Sequence, residues 1–214
     1  MRRLTLTLLL ALSALAAVTD ALPSSSQARV TIFARPTVVA WAQSATVFGA
    51  VTGTGGPRDV VKVQVRECGG SGFRTYAEAH LNAGGGWSMP VGTSVTSTFR
   101  AVWGSVASVP VTIRQGANVG LERRRSGRGF VVGVTAKRSF WRKQVEIQRR
   151  AGGSWRTVRK VRLTDSVSST GVVSASEATF RLPVPRGTQL RALLPPAQAK
   201  PCYVQSVSKV VRAP

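Results

Sequence analysis

The strongest constraint on how this chain folds is a nineteen-residue unit that it carries twice. Val145 to Leu163 reads VEIQRRAGGSWRTVRKVRL, and Val63 to Leu81 reads VQVRECGGSGFRTYAEAHL. The two align without a gap at an offset of 82, with Val, Gly, Arg-Thr and Leu coincident and Trp155 in the place of Phe73. In each, apolar residues alternate, a glycine turn follows and a second strand begins, which is the signature of a β-hairpin. Repetition at such a period governs the fold assignment, and here it predicts two related β-domains.

The rest of the chain supports that expectation. Val, Thr and Ser are abundant, and helical Leu/Ala/Glu/Lys patterns are missing beyond the first twenty residues. Short strands are predicted at Val30–Ile32, after the turn near Gln43-Ser44, at Trp87–Val91, at Phe99–Trp103 and at Val109–Arg114. A second series follows at Asn118–Glu122, Phe130–Ala136, Phe180–Val184, Leu190–Leu194 and Val204–Arg212. Pro183 aligns with Pro90, and Val204–Arg212 aligns with Val106–Arg114. The Ser-rich stretch Asp165–Ala178 is expected to be a mobile inserted loop, and Gln115–Ala117 a short linker. About seven short strands per unit with turns between them is the spacing of a sandwich.

The amino terminus has a different character. Met1-Arg2-Arg3 precedes the apolar run Leu4–Val18, and Ser26-Gln27-Ala28 and Thr19-Asp20-Ala21 are small-residue cleavage sites. This predicts a secretory signal peptide over 1–28, with 29–114 and 115–214 as the two domains. An uncleaved N-terminal anchor is the alternative, although the run is short for a membrane span. No later segment is apolar enough to span, so no transmembrane segment is expected after cleavage, and the chain is expected to be secreted or held in the cell envelope.

The run WAQSATVFGAV, the Gly-Gly-x-Trp/Phe-x-Thr hairpin, the Gly-Trp-Ser strand and the strand Phe99-Arg100-Ala101-Val102-Trp103 together resemble bacterial immunoglobulin-like repeats, in their secreted, high-GC actinobacterial form. The resemblance covers nearly all of the chain after the signal peptide. It departs where Arg123-Arg124-Arg125 and Gly127-Arg128-Gly129 open the second unit. It implies an all-β fold of two tandem antiparallel β-sandwich domains, immunoglobulin- or fibronectin-III-like, of a class that consists mostly of surface modules without chemistry of their own.

Charge separates the two units. The formal net charge is +22, and arginine supplies 24 of the 30 basic residues. Between Arg29 and Arg114 eight basic residues face three acidic ones, whereas from Gln115 to Pro214 twenty face four. A cationic surface of that kind attracts polyanions in a salt-dependent way. The candidate anion-binding residues are Arg123, Arg124, Arg125, Arg142, Lys143, Arg149, Arg150, Arg159, Lys160 and Arg162, interleaved with Phe130, Phe140, Trp141 and Trp155. The expected partner is an anionic cell-wall polymer, a phospholipid or an acidic protein. The secretion signal argues against nucleic acid. Compositional bias, with arginines as solvated strand faces, is the competing explanation.

Catalysis has no matching pattern. The lone His80 falls opposite Arg162 in the alignment and is expected to face solvent. No Gly-x-Ser-x-Gly or Ser-x-x-Lys motif is present, and two cysteines with one histidine do not make a zinc site. The chain is therefore expected to be non-enzymatic, with no cofactor or metal. It would bind or space through its basic second domain. A ligand-free structural module and an enzyme with a cryptic interdomain site are the alternatives. An even cysteine count in a secreted chain favours a disulfide. In immunoglobulin-type sandwiches joined head to tail, the first domain's hairpin turn, with Cys68, faces the second domain's last loop, with Cys202. A bridge across the junction is expected there, against the alternative of two free thiols.

Overall fold

Alternating apolar residues dictate strands, and a computed structural model of the chain places them in four sheets. It describes residues 28–53, 59–124, 129–169 and 173–213; the expected signal peptide and Arg125 lie outside them. In the N-terminal half the strands are β1 (Arg29–Val30), β2 (Phe33–Arg35), β3 (Val38–Val39), β4 (Ser44–Thr52), β5 (Val60–Glu67), β6 (Arg74–His80), β7 (Gly86–Gly92), β8 (Ser97–Trp103), β9 (Val106–Ala107) and β10 (Val111–Gln115). β1, β2 and β7 all pair with β4. The facing sheet runs β3-β10-β8-β5-β6, with β9 on β8 and a parallel β3–β10 pair. Val47 and Trp87 from the first sheet meet Val61, Val63 and Phe99 from the second in one core, so the two layers form a sandwich. Gly49 makes room for the first strand, because a Cβ there would lie 2.0 Å from the Thr31 carbonyl oxygen.

The C-terminal half repeats the layering. Its strands are β11 (Asn118–Arg123), β12 (Gly129–Ala136), β13 (Gln144–Ala151), β14 (Ser154–Arg162), β15 (Asp165–Ser169), β16 (Val173–Arg181), β17 (Gln189–Leu194), β18 (Ser206–Val207) and β19 (Val211–Arg212), with one turn of helix, α1 (Pro196–Ala199). One sheet is β11-β12-β16-β15, and the other is β14-β13-β17-β18 with β19 on β17. Phe130, Val132 and Val134 pack on Val145, Ile147, Leu190 and Leu194 between them.

Several expectations need correction. Asp165–Ala178 is not a loop: β15 and β16 pair from Asp165↔Glu177 to Ser169↔Val173, because Ser and Val in alternation suit a strand as well as a coil. β16 ends at Arg181, so Pro183 lies beyond it, whereas Pro90 is a ladder residue opposite Thr46. The gapless hairpin alignment also fails. Both hairpins carry a bulge, between Val63 and Gln64 and between Ile147 and Gln148, and Gln64↔Thr75 therefore corresponds to Gln148↔Thr157. The offset is 84 on the first strand and 82 on the second. The two-residue difference falls in the turn, where Cys68 stands beyond the end of β5 and opposite no arginine. The last strands shift similarly. Ala101 and Ser108 exchange two hydrogen bonds (Ala101 N to Ser108 Oγ 2.9 Å, Ser108 N to Ala101 O 2.9 Å), and Ala192 and Ser208 do the same (2.8 and 2.9 Å). Ser108 thus corresponds to Ser208, not to Ser206.

The halves meet through a dense junction. Cys68 and Cys202 form a disulfide with Cα atoms 5.4 Å apart. The Cys68 amide donates to the Thr96 carbonyl, and the Thr96 amide to the Cys202 carbonyl, both at 2.9 Å. The supposed linker is core: Gln115 is fully buried, accepts from Thr93 Oγ1 at 2.6 Å and donates to the carbonyls of Ala40 and Gly116 at 3.1 and 3.0 Å. Gly116 bridges Val204 in parallel. Val95, from the N-terminal half, is buried in the C-terminal core. Glu67 holds Lys137 at 2.5 Å and Arg74 at 3.0 Å. Arg138 donates to the Cys68 carbonyl at 2.7 Å, crowding Gly69 so that a Cβ there would lie 2.6 Å from its guanidinium.

Candidate anion-binding cleft

The strand register decides which charges are additions to the shared scaffold. On the outer face of the C-terminal sheet, Arg191 donates to Gln148 Oε1 at 2.9 Å and stacks 4.4 Å over Trp155. The N-terminal half holds the same arrangement, with Arg100 donating to Gln64 Oε1 at 2.8 Å and lying 4.3 Å over Phe73. This stacked arginine is scaffold. Glu146 faces Lys160 across the C-terminal ladder where Lys62 faces Glu78 in the N-terminal one. The cross-strand charge pair is thus reversed and adds no net charge. Arg150 takes the place of Arg66. Of the expected residues on this hairpin, only Arg149, Arg159 and Arg162 are cations where the N-terminal half has Val65, Ala77 and His80. His80 is exposed, as expected.

The structure does not gather the expected residues into one site. Arg142, Lys143 and Arg162 lie at the junction end of the C-terminal half, where Gln144 pairs with Arg162. Arg142 is committed to Trp141, its guanidinium 4.0 Å from the ring centroid. Lys160 sits on the outer face of β14. Arg123, Arg124, Arg149 and Arg150 lie at the distal end. There β11 and β16 finish, β12 and β17 start, and Arg149 pairs with Leu190 while Gln189 pairs with Arg212. Arg159 reaches across to that end, donating to the Arg181 carbonyl at 2.7 Å with its guanidinium 5.8 Å from the Phe180 ring.

An open cleft of about 1090 Å³ lies at the distal end. Arg123, Arg181, Arg186 and Arg212 line it together with Phe130, Leu182 and Val184. All four arginines are exposed, and none makes a side-chain hydrogen bond or ion pair with a described residue. Both ion pairs given above engage Glu67, which lies in the N-terminal half at the junction. Arg124 flanks the cleft, since its side chain lies against Gly129, which pairs with Arg181. Three of the four lining arginines, 181, 186 and 212, escaped the sequence reading. They stand singly among apolar and proline residues rather than in basic runs, and only the convergence of four strand ends unites them.

The cleft wall is held in place. The Gly187 amide donates to the Ala213 carbonyl at 3.1 Å, and the Ala213 amide to the Thr188 carbonyl at 2.9 Å. Thr188 Oγ1 closes on the Pro185 carbonyl at 2.6 Å. Pro183 and Pro185 fix two φ angles and offer no amide proton. The donors available to a ligand along that wall are therefore chiefly guanidinium groups, which suit planar, bidentate recognition of phosphate or carboxylate.

Elsewhere, among the described residues, no group of three or more His, Cys, Asp or Glu is placed to hold a metal ion, and no helix is long and apolar enough to cross a membrane. Comparison with known protein families finds no family model that matches the chain, and no curated protein matches it either.

Proposed function

We propose that the protein is a non-enzymatic, extracytoplasmic module of two immunoglobulin-like domains, spanning 29–114 and 115–214, whose second domain binds an anionic envelope polymer. The observation that carries this is the set of four unpaired arginines converging at the distal end of the C-terminal half. A charge with no partner inside the fold is available to a partner outside it. The domain reading is supported by the paired sheets β11-β12-β16-β15 and β14-β13-β17-β18, which follow the four-plus-three plan of immunoglobulin sandwiches with an added edge strand. Duplication is supported by the matched bulges and the paired Ser108 and Ser208 hydrogen bonds. The disulfide fits an oxidising compartment and hence export by the N-terminal apolar segment.

Retention of the protein lacking residues 1–28 on isolated bacterial cell walls, measured across a salt series, tests the proposal. Salt-sensitive retention that weakens when Arg181, Arg186 and Arg212 are changed to Gln is the expected result. Absence of retention at low salt refutes it and favours a ligand-free spacer.

A further inference from the structure

The distal cleft is more than a patch of charge, because its cations and its apolar surface are interleaved. We infer that it is a binding site for a phosphate-bearing amphiphile: a phosphate group gripped by Arg181, Arg186 and Arg212, with an attached apolar chain lying against Leu182, Val184 and the prolines between and beside them. This deepens the polymer-binding proposal and rests on it only for the location of the charge. Three features select this ligand class.

The first is the number of guanidinium groups. One or two bidentate arginines satisfy a carboxylate, whereas a phosphate offers three peripheral oxygens and up to two charges, and so uses more of them. The second is the lining. A site for a fully hydrated polyanion gains nothing from exposing leucine, valine and two prolines around its cations. A ligand with an apolar portion removes that surface from water. The third is pre-organisation. The 182–187 wall is tied to β19 by the Gly187–Ala213 and Ala213–Thr188 hydrogen bonds, and Arg159 pins the Arg181 carbonyl. The backbone of the cleft wall therefore loses little freedom when a ligand enters, and the ordering cost falls on the arginine side chains.

The wall of the cleft, residues 182–187, also lies outside the strand ladders, although Arg123, Arg181 and Arg212 stand at strand ends. In the N-terminal half β7 runs through Pro90 to Gly92, where the C-terminal half has left the ladder at Arg181 and turned into the proline-flanked wall. The wall residues are thus free of ladder pairing and available to a ligand.

Titration calorimetry on the disulfide-intact protein, with decyl phosphate below its micelle concentration, decanoate and inorganic phosphate, tests the inference. Decyl phosphate should bind at one site, at least about tenfold more tightly than either of the others. Arg181→Gln with Arg186→Gln should weaken it by about tenfold or more, as loss of charge-assisted hydrogen bonds does, while the melting temperature is kept. Leu182→Ser should weaken decyl phosphate but not inorganic phosphate. Decanoate binding as well as decyl phosphate would exclude a phosphate site, and inorganic phosphate binding as well would exclude the apolar half of it. Unchanged affinity in the arginine variant would remove the cleft from consideration. Cell-wall retention is scored separately. A protein retained on walls but blind to decyl phosphate overturns this inference alone, and one that binds decyl phosphate but not walls overturns only the polymer proposal. Vesicles with and without phosphatidic acid then distinguish a membrane lipid from a soluble source of the same chemistry.

Discussion

At the scale of single residues, the junction carries the sharpest chemistry. Glu67 is held below the ordinary carboxylate range, first by the hydrogen bond from Lys137, with burial opposing and Arg74 assisting. A carboxyl whose folded pKa is depressed adds stability above its unfolded pKa, and that stability is lost as pH falls through the folded value. Tyr203, buried beside Phe140 with its hydroxyl accepting the Arg138 amide at 3.2 Å, shifts the other way, raised chiefly by burial. Its contribution is present below the usual tyrosine range and is lost as pH rises through the raised value. Glu67→Gln should therefore remove part of the acid-side fall in stability and have its smaller effect on the alkaline side, where the Glu67 charge is a minor contributor to the Tyr203 shift, as followed by denaturant titration across pH. The size is small, about 0.2–1 kcal/mol, because the pair is partly exposed. Gln115→Ala should cost more. It strips three hydrogen bonds from a fully buried position and leaves the Thr93 hydroxyl without its acceptor, while the Ala40 carbonyl keeps the Gln43 amide, a loss of about 1–3 kcal/mol in chemical denaturation.

At the scale of elements, β14 shows how charge and function separate. It is an edge strand, and a row of Arg and Lys on an edge also discourages pairing with another chain. The bulge register shows that Lys160 is balanced by Glu146, so exchanging them (Glu146→Lys with Lys160→Glu) should leave the salt needed for elution from a polyphosphate column unchanged. Returning Arg149, Arg159 and Arg162 to the N-terminal residues, Val, Ala and His, should lower that salt clearly. Equal shifts for both sets would show that the β13–β14 hairpin acts by local charge alone. The hairpin was legible from its alternation and glycines, and the cysteine bridge from its position in the resemblance. The bulge was not, because an extra residue in a strand leaves the apolar alternation intact on either side. The β15–β16 hairpin was hidden by serine, which suits loop and strand alike. The cleft was hidden because its arginines come from three strand ends and a loop, separated in sequence.

For the whole molecule, the two halves share core as well as surface contacts. Val95 fills space in the C-terminal core, so a fragment beginning at Gln115 should be less stable than that half within the full chain, read as an earlier denaturant midpoint. The disulfide joins positions 134 residues apart, and in the chain-entropy picture its removal by Cys68→Ser with Cys202→Ser costs about 4–5 kcal/mol, less whatever strain is released. The melting temperature should fall in that variant and respond to reductant only in the parent protein.

The same bridge governs how the chain carries load. Tension applied at the two ends enters the Cys68–Cys202 bond directly, so every residue between them is bypassed and cannot be drawn out while the bond is intact. The stored contour amounts to roughly 440–480 Å at about 3.3–3.6 Å per residue. Under stretching, the protein would yield only the segments outside the loop. In the presence of a reducing thiol it would release the remainder, so the length to which the chain can be drawn out would depend on the redox state of its surroundings.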